Sequence, residues 1–276
     1  MPFFQQFPKT VFDFQSNGID TKIIDIFRFV KAEDVVSDDM SIYTYYQVRN
    51  GDRPDIVSSL LYNTPEYYWT FFILNEQLKS GLSGWPMSTE QFQTYMETEY
   101  SGIVITTRPI IVRDGDGLIT EYRNSLSDRF QVGETVVGSI SGATGRVVST
   151  DAQLSQLLLA DTTGYFQANE LIIGQTTSDN VTSYAVYNHG EAPHHYEDDN
   201  GNISYNGLYI DESKVYIPGT GYVNVPVDPA VSNSNLNAIS NLQYENQLND
   251  DRGNLRVVRP EAIYDFVKTF KEKLNA

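Results

Sequence analysis

Cysteine is absent from the 276 residues, which excludes disulfides and thiolate metal sites. Basic side chains are few, 19 Lys and Arg against 36 Asp and Glu, and the formal charge is −17. No basic stripe is left that would displace phosphate counterions, so nucleic acid is not an expected partner. No window approaches the ~20 uninterrupted apolar residues that a membrane-spanning helix requires. The opening Met1-Pro2-Phe3-Phe4-Gln5-Gln6-Phe7-Pro8 lacks a basic stretch followed by an apolar run. No secretory signal is therefore expected, and the chain reads as soluble and made in the cytoplasm.

What is abundant is aromatic: 19 Tyr, 14 Phe and two Trp. These side chains are favoured in cores and interfaces alike, and core packing is the first expectation for most of them. The length allows one large domain or about two to three small ones. Charge is uneven along the chain. Residues 252–276 hold six basic and three acidic side chains, while everything before them is net acidic. Lys268, Lys271 and Lys273 can meet an acidic partner, or simply answer the helix macrodipole.

The most informative segment runs from Tyr43 to Ser88. Residues 42–48 are β-prone and stop at Asn50-Gly51. Asp52 is a suitable N-cap, with Pro54 in the first turn and Asp55 at the capping-box position. Ile56, Val57, Leu60 and Leu61 recur at helical spacing and predict one buried face. Asn63-Thr64-Pro65 ends that helix and starts another, lined by Tyr68, Trp69, Phe72 and Ile73. Leu74-Asn75 follows, and Gly84-Trp85-Pro86 is expected to close the unit as a short strand.

This β-α-α-β order resembles a LysM module, on Tyr46-Gln47-Val48-Arg49-Asn50-Gly51-Asp52 and Leu74-Asn75. Further marks are Ile24-Asp25-Ile26-Phe27-Arg28 upstream, Pro65-Glu66-Tyr67-Tyr68-Trp69 and Gly84-Trp85. Near the end stands Asn249-Asp250-Asp251-Arg252 before Leu255-Arg256-Val257-Val258-Arg259. In this order they are similar to the LysM-containing baseplate wedge subunit of T-even-like contractile-tailed bacteriophages. The resemblance covers roughly residues 20–100 and 235–276. It implies a virion structural protein without enzymatic activity, assembled in the host cytoplasm and present in multiple copies around a tail tube. It would clamp the core wedge bundle and help join neighbouring wedges, with no cofactor, nucleic acid or membrane among its partners. Contact residues expected on this reading are Tyr45, Tyr67, Tyr68, Trp69 and Trp85, with Phe3, Phe4 and Phe7 in an N-terminal arm; some of them are expected in the core instead, Trp69 first. The alternatives are a LysM-type peptidoglycan- or glycan-binding protein, or a cell-wall hydrolase with dispersed carboxylates.

Residues from about Gly102 to Tyr187 depart from that family pattern and look like an insertion. Phe130-x-x-Gly133-Glu134-x-Val136-x-Gly138 returns 36 residues later as Phe166-x-x-Asn169-Glu170-x-Ile172-x-Gly174. Two copies are too few for a solenoid and predict two equivalent strand-turn units in one small sandwich or barrel. Gly133 and Asn169 share a turn position that calls for positive φ. The run Gly138-x-x-x-Gly142-x-x-Gly145 lacks a Walker-A lysine and precedes a strand, so hairpin chemistry accounts for it.

Candidate chemistry is thin. His189, His194 and His195 lie beside Glu191, Glu197, Asp198 and Asp199, a composition that could hold zinc with two imidazoles and a carboxylate. Gly190, Pro193 and Asn200-Gly201 instead predict a polar loop entering a hairpin, and no metal site is assigned. Asp114-Gly115-Asp116-Gly117 lacks a twelve-residue calcium loop and reads as a turn. No G-x-S-x-G is present, and no carboxylate pair is nominated.

The fold class expected is α+β: an N-terminal arm (1–40), a LysM-like module (41–101), an inserted all-β domain (102–188), a hairpin and loop region (189–230), and a helical linker with a C-terminal strand and helix (231–276). Leu236, Ile239, Leu242 and Leu248 form a weak helical face in the linker. Ile263, Phe266, Val267, Phe270 and Leu274 form a strong one in the last helix. Phe3, Phe4, Phe7, Phe12 and Phe14 are expected to pair with another subunit.

Overall fold

The computed structural model describes residues 7–14, 16, 18–25, 42–205, 209–226 and 236–275. Its strands, in chain order, begin with β1 (Lys9–Phe12), β2 (Thr21–Ile24), β3 (Tyr43–Gln47), β4 (Ile103–Thr107), β5 (Ile110–Arg113) and β6 (Ile119–Arg123). Next come β7 (Thr135–Gly138), β8 (Thr144–Asp151), β9 (Gln156–Thr163), β10 (Leu171–Gly174) and β11 (Asn180–Asn188). The last are β12 (Pro193–Glu197), β13 (Ile203–Ser204), β14 (Ile210–Ile217), β15 (Gly221–Pro226), β16 (Asn237–Ser240) and β17 (Asn254–Val258). The α-helices are α1 (Pro54–Tyr62), α2 (Trp69–Leu74), α3 (Thr89–Glu99), α4 (Asn241–Gly253) and α5 (Ile263–Asn275). The chain divides into two compact units, Met1–Phe92 with Gln247–Ala276, and Gln93–Asn246.

In the first unit β3 pairs antiparallel with β17, Tyr46 opposite Leu255 and Tyr43 opposite Val258. The closing strand is therefore Asn254–Val258, and the expected strand at Gly84-Trp85-Pro86 is corrected. Residues Gly81–Gly84 form a 3-10 turn instead. Pro86 has no N–H to give a ladder and Gly84 has no side chain to pack, whereas β17 offers every backbone donor and buries Leu255, Val257 and Val258.

Helix α1 starts one residue later than its expected cap. Arg53 is the N-cap with no side-chain capping bond, Pro54 occupies the first turn, and Asn63 ends the helix in the left-handed region. Its buried face is Pro54, Val57, Ser58 and Tyr62, while Ile56 and Leu60, expected inside, are exposed. Tyr62 sets this roll. Its hydroxyl donates to the Val258 carbonyl at 2.9 Å, and without that partner a buried hydroxyl would be penalised. Thr64 then caps a 3-10 turn at Pro65–Tyr67 by accepting from the Glu66 N–H.

Helix α2 buries Trp69, Thr70 and Phe71, with Tyr68, Phe72 and Ile73 only partly covered. Helix α5 buries the whole predicted stripe of Ile263, Phe266, Val267, Phe270 and Leu274. Trp69 meets Phe270 with ring centroids 4.7 Å apart. Each such large side chain contributes about 2 kcal/mol on burial. Phe7 belongs to the same core, and β1 and β2 follow it as an antiparallel hairpin with Phe12 and Phe14 exposed.

The second unit holds a closed barrel of strand order β10-β11-β4-β9-β8-β7. The 36-residue repeat maps onto it as β7-β8 and β10-β11, and β7 pairs antiparallel with β10 across the pseudo-twofold relation. The third strand of the first copy is β9, which follows β8. In the second copy that place is taken by β4, which precedes both copies in the chain. Gly133 and Asn169 have φ of 91° and 65°, as the turn requires.

The repeated glutamates are exchanged between the copies. Glu170 accepts hydrogen bonds from the N–H groups of Ile140 (3.0 Å) and Ser141 (2.9 Å), after β7, and of Gln167 (2.6 Å). Glu134 accepts from Thr176 and Thr177 (3.3 Å each), after β10, and from Gln131 (2.6 Å). Burial alone would raise the Glu170 pKa, but the bonds from Ser141, Gln167 and Ile140 outweigh it and hold the carboxyl below its ordinary value. A Cβ on Gly138 would lie 2.6 Å from the Glu170 Oε2, and one on Gly174 2.7 Å from the Glu134 Oε2, so glycine ends each motif.

Part of the inserted segment leaves the barrel. Strands β5 and β6 join the later hairpin β14-β15 in a sheet of order β15-β14-β5-β6, with β14 parallel to β5. Ion pairs of Arg113 with Asp211 (3.1 Å) and of Arg123 with Glu212 lie across it. Asp114-Gly115-Asp116-Gly117 is the β5-β6 turn, its Asp114 carboxylate accepting from the Asp116 and Leu118 N–H groups. The weak helical face read in the linker is not formed. Ile239 sits in β16, Leu242 is exposed, and helix α4 buries Asn241 and Glu245.

Candidate functional site

The expected contact aromatics separate into two groups. Trp69 (3% exposed) and Phe7 (9%) are held by the chain's own core, so neither is presented to a partner; this corrects the contact role of Phe7 and follows the core alternative for Trp69. Trp85 is half-buried; its indole N–H donates to the Asp52 carbonyl at 2.8 Å and its ring packs near Phe71 and Phe72. Phe3 and Phe4 lie outside the described residues. Tyr67 and Tyr68 are half-buried on the core's margin, and Tyr45 is open, 71% exposed.

Tyr45 is open because strand alternation decides it. Tyr46 turns to the core opposite Leu255, which sends Tyr45 and its cross-strand neighbour Arg256 to the other face. There the Arg256 guanidinium lies 3.9 Å from the Tyr43 ring centroid, a cation-π contact. The open part of this face is Tyr45 and Arg256, residue types enriched in interface hot spots, while Tyr43 is half-buried against the core.

One residue the resemblance marked acts as a clamp. The Asn75 side chain donates to the carbonyls of Phe71 (2.7 Å) and Arg256 (2.9 Å) and accepts from the Arg256 N–H (2.8 Å). It joins the end of α2 to the middle of β17, so the C-terminal strand is held from both sides.

A cleft of about 380 Å³ opens beside α5, lined by Tyr67, Tyr264, Val267, Lys268, Lys271, Glu272 and Asn275. Tyr264, 70% exposed beside the buried stripe of its helix, was not among the expected contact residues. Neither were Tyr122, Tyr216 and Tyr222, exposed on the four-stranded sheet of the second unit.

The histidines lie in the second unit. A register shift between Pro193 and His195, opposite β16, brings consecutive imidazoles together, with the two Nδ1 atoms 2.8 Å apart. The His195 Nε2 stands 3.1 Å from the Glu197 Oε1. Either ring can carry the hydrogen between the two Nδ1 atoms, and the tautomer sets which of them donates. His194 stacks on Tyr244 at 3.8 Å, and the neighbouring Glu245 accepts from the hydroxyls of Tyr95 and Tyr100. Among the described residues no group of three His, Asp or Glu side chains converges as metal ligands. Glu197 contacts the ring nitrogen of His195 that faces away from His194, which is why proximity in sequence does not become a three-ligand site.

Burial lowers the pKa of His194, with adjacent His195 adding to the effect and Glu245 opposing it. Burial also lowers that of His189, against its bond to the Ser101 carbonyl. The unfolded chain therefore takes up these protons first as pH falls through about 6.5. Stability is expected to drop between about pH 7 and pH 5, measured as the melting temperature, and the double variant His189→Asn, His194→Gln should flatten that dependence.

Among the described residues no helix is long and apolar enough to cross a membrane. Comparison with known protein families and with curated proteins finds no match to this chain.

Proposed function

We propose that the first unit is a LysM-like module and that the chain is a structural component of a contractile-tail baseplate wedge. In this reading it clamps core wedge proteins, joins adjacent wedges around the tube, and acts without catalysing a reaction. The observation that carries the proposal is the assembly of the first unit. The two stretches bearing the resemblance, far apart in sequence, share one core, in which β17 pairs with β3 beside α1 and α2. The Asn75 clamp and the open Tyr45 and Arg256 give that unit a fixed body and a surface suited to a partner.

The test is recovery of assembled wedges. Mass spectrometry of purified tails from the phage encoding the chain should find it in the baseplate in several copies. Tyr45→Asp, on an open face, should leave folding intact and reduce wedge recovery roughly tenfold or more, the scale of a lost interface anchor. Normal assembly with that variant, or tails lacking the chain, would remove the proposal. Retention on peptidoglycan at physiological salt would favour the glycan-binding alternative.

A further inference from the structure

We infer that the cleft beside α5 receives an acidic peptide segment of another protein. The inference rests on the reading of the first unit as a partner-binding module and names the chemistry of one partner. Tyr264, Lys268, Lys271 and Asn275 recur at spacings of four, three and four along α5, forming a stripe beside the buried one. Val267 gives an apolar floor and Tyr67 the facing wall. The stripe spans about 16 Å, room for an extended segment of about five residues.

Charge selects the occupant. Lys268 and Lys271 are exposed and form no ion pair among the described residues. The macrodipole does not account for Lys268, which stands seven residues before the end of α5 at Asn275, because that field fades within about one turn. The rest of the chain is strongly acidic, so a carboxylate-bearing partner is repelled elsewhere and attracted here. Glu272 on the same rim sets the polarity: carboxylates sit against Lys268 and Lys271, and an aromatic or apolar side chain lies on Val267 between the tyrosines.

The probe is a fluorescein-labelled peptide of alternating Glu and Tyr, titrated into the full chain and followed by anisotropy, with a Lys-Tyr peptide as control. Binding of the acidic peptide alone, weakened about tenfold by raising salt and at least tenfold by Lys268→Gln with Lys271→Gln, is the expected result. Both lysines are exposed, so an unchanged melting temperature will show that the variant is folded. Equal binding of both peptides, no binding, or binding indifferent to the two lysines would overturn the inference. So would self-association of the chain that the double variant abolishes, since the occupant would then be a second copy. If the peptide fails while Tyr45→Asp still prevents wedge recovery, the cleft assignment falls and the wedge reading stands. If the peptide binds while Tyr45→Asp assembles normally, the wedge reading falls and the cleft's chemistry stands.

Discussion

Glu170→Ala should destabilise the second unit by about 3–4 kcal/mol, among the largest single-residue losses in the chain. The carboxylate accepts from three backbone N–H groups and from the Ser141 hydroxyl, and alanine would leave all four donors unpaired. Glu134→Ala should cost less, because its bonds to Thr176 and Thr177 are 3.3 Å long, against 2.9–3.0 Å for those of Glu170 to Ser141 and Ile140. Calorimetry together with hydrogen exchange of the amides of Ile140 and Ser141 would measure both. Glu170→Gln keeps an acceptor oxygen and should lose about half as much. Equal effects of the two alanine variants, or none, would show that the exchanged glutamates do not hold the barrel. The folded-state pKa of Glu170 is depressed, so its contribution is complete above the ordinary value of 4.5 and is lost as pH falls through the lower folded value.

Asn75→Ala should cost the first unit about 3 kcal/mol. Three hydrogen bonds are removed, and the Arg256 N–H and C=O are left without the side chain that satisfies them. Both tryptophans, Trp69 and Trp85, lie in this unit, so the denaturant midpoint of tryptophan fluorescence reports on it. Asn75→Asp keeps the acceptor for the Arg256 N–H but sets a buried carboxylate oxygen against the Phe71 and Arg256 carbonyls, so it should cost at least as much as alanine. A fluorescence midpoint unchanged in Asn75→Ala would mean that β17 is held by ladder pairing and core packing alone. That outcome would also weaken the proposed module, whose last strand comes from the far end of the chain.

Local patterns were legible where one element satisfies itself. The stripe of α5 follows helical periodicity and is buried throughout. The repeat announced two equivalent strand-turn units, with positive φ at Gly133 and Asn169. The Asp114 run and the Asn200-Gly201 run are turns because short side chains and glycine suit them locally.

Long-range choices were not legible. Which segment pairs with β3, where Glu134 and Glu170 send their carboxylates, and that β4 completes the second repeat are contacts between residues distant in sequence, and no local propensity encodes them. The roll of α1 was misread because Ile56 and Leu60 match a helical stripe as well as Val57 and Tyr62 do; the Val258 carbonyl, waiting for a hydroxyl, separates the two. Composition and short-range spacing thus decided the last helix, the repeated strand-turn units, several turns and the absence of cysteine chemistry. Tertiary structure alone decided strand partners, the shared core of the two chain ends and which aromatics remain open, because burial and hydrogen-bond satisfaction are properties of the packed whole.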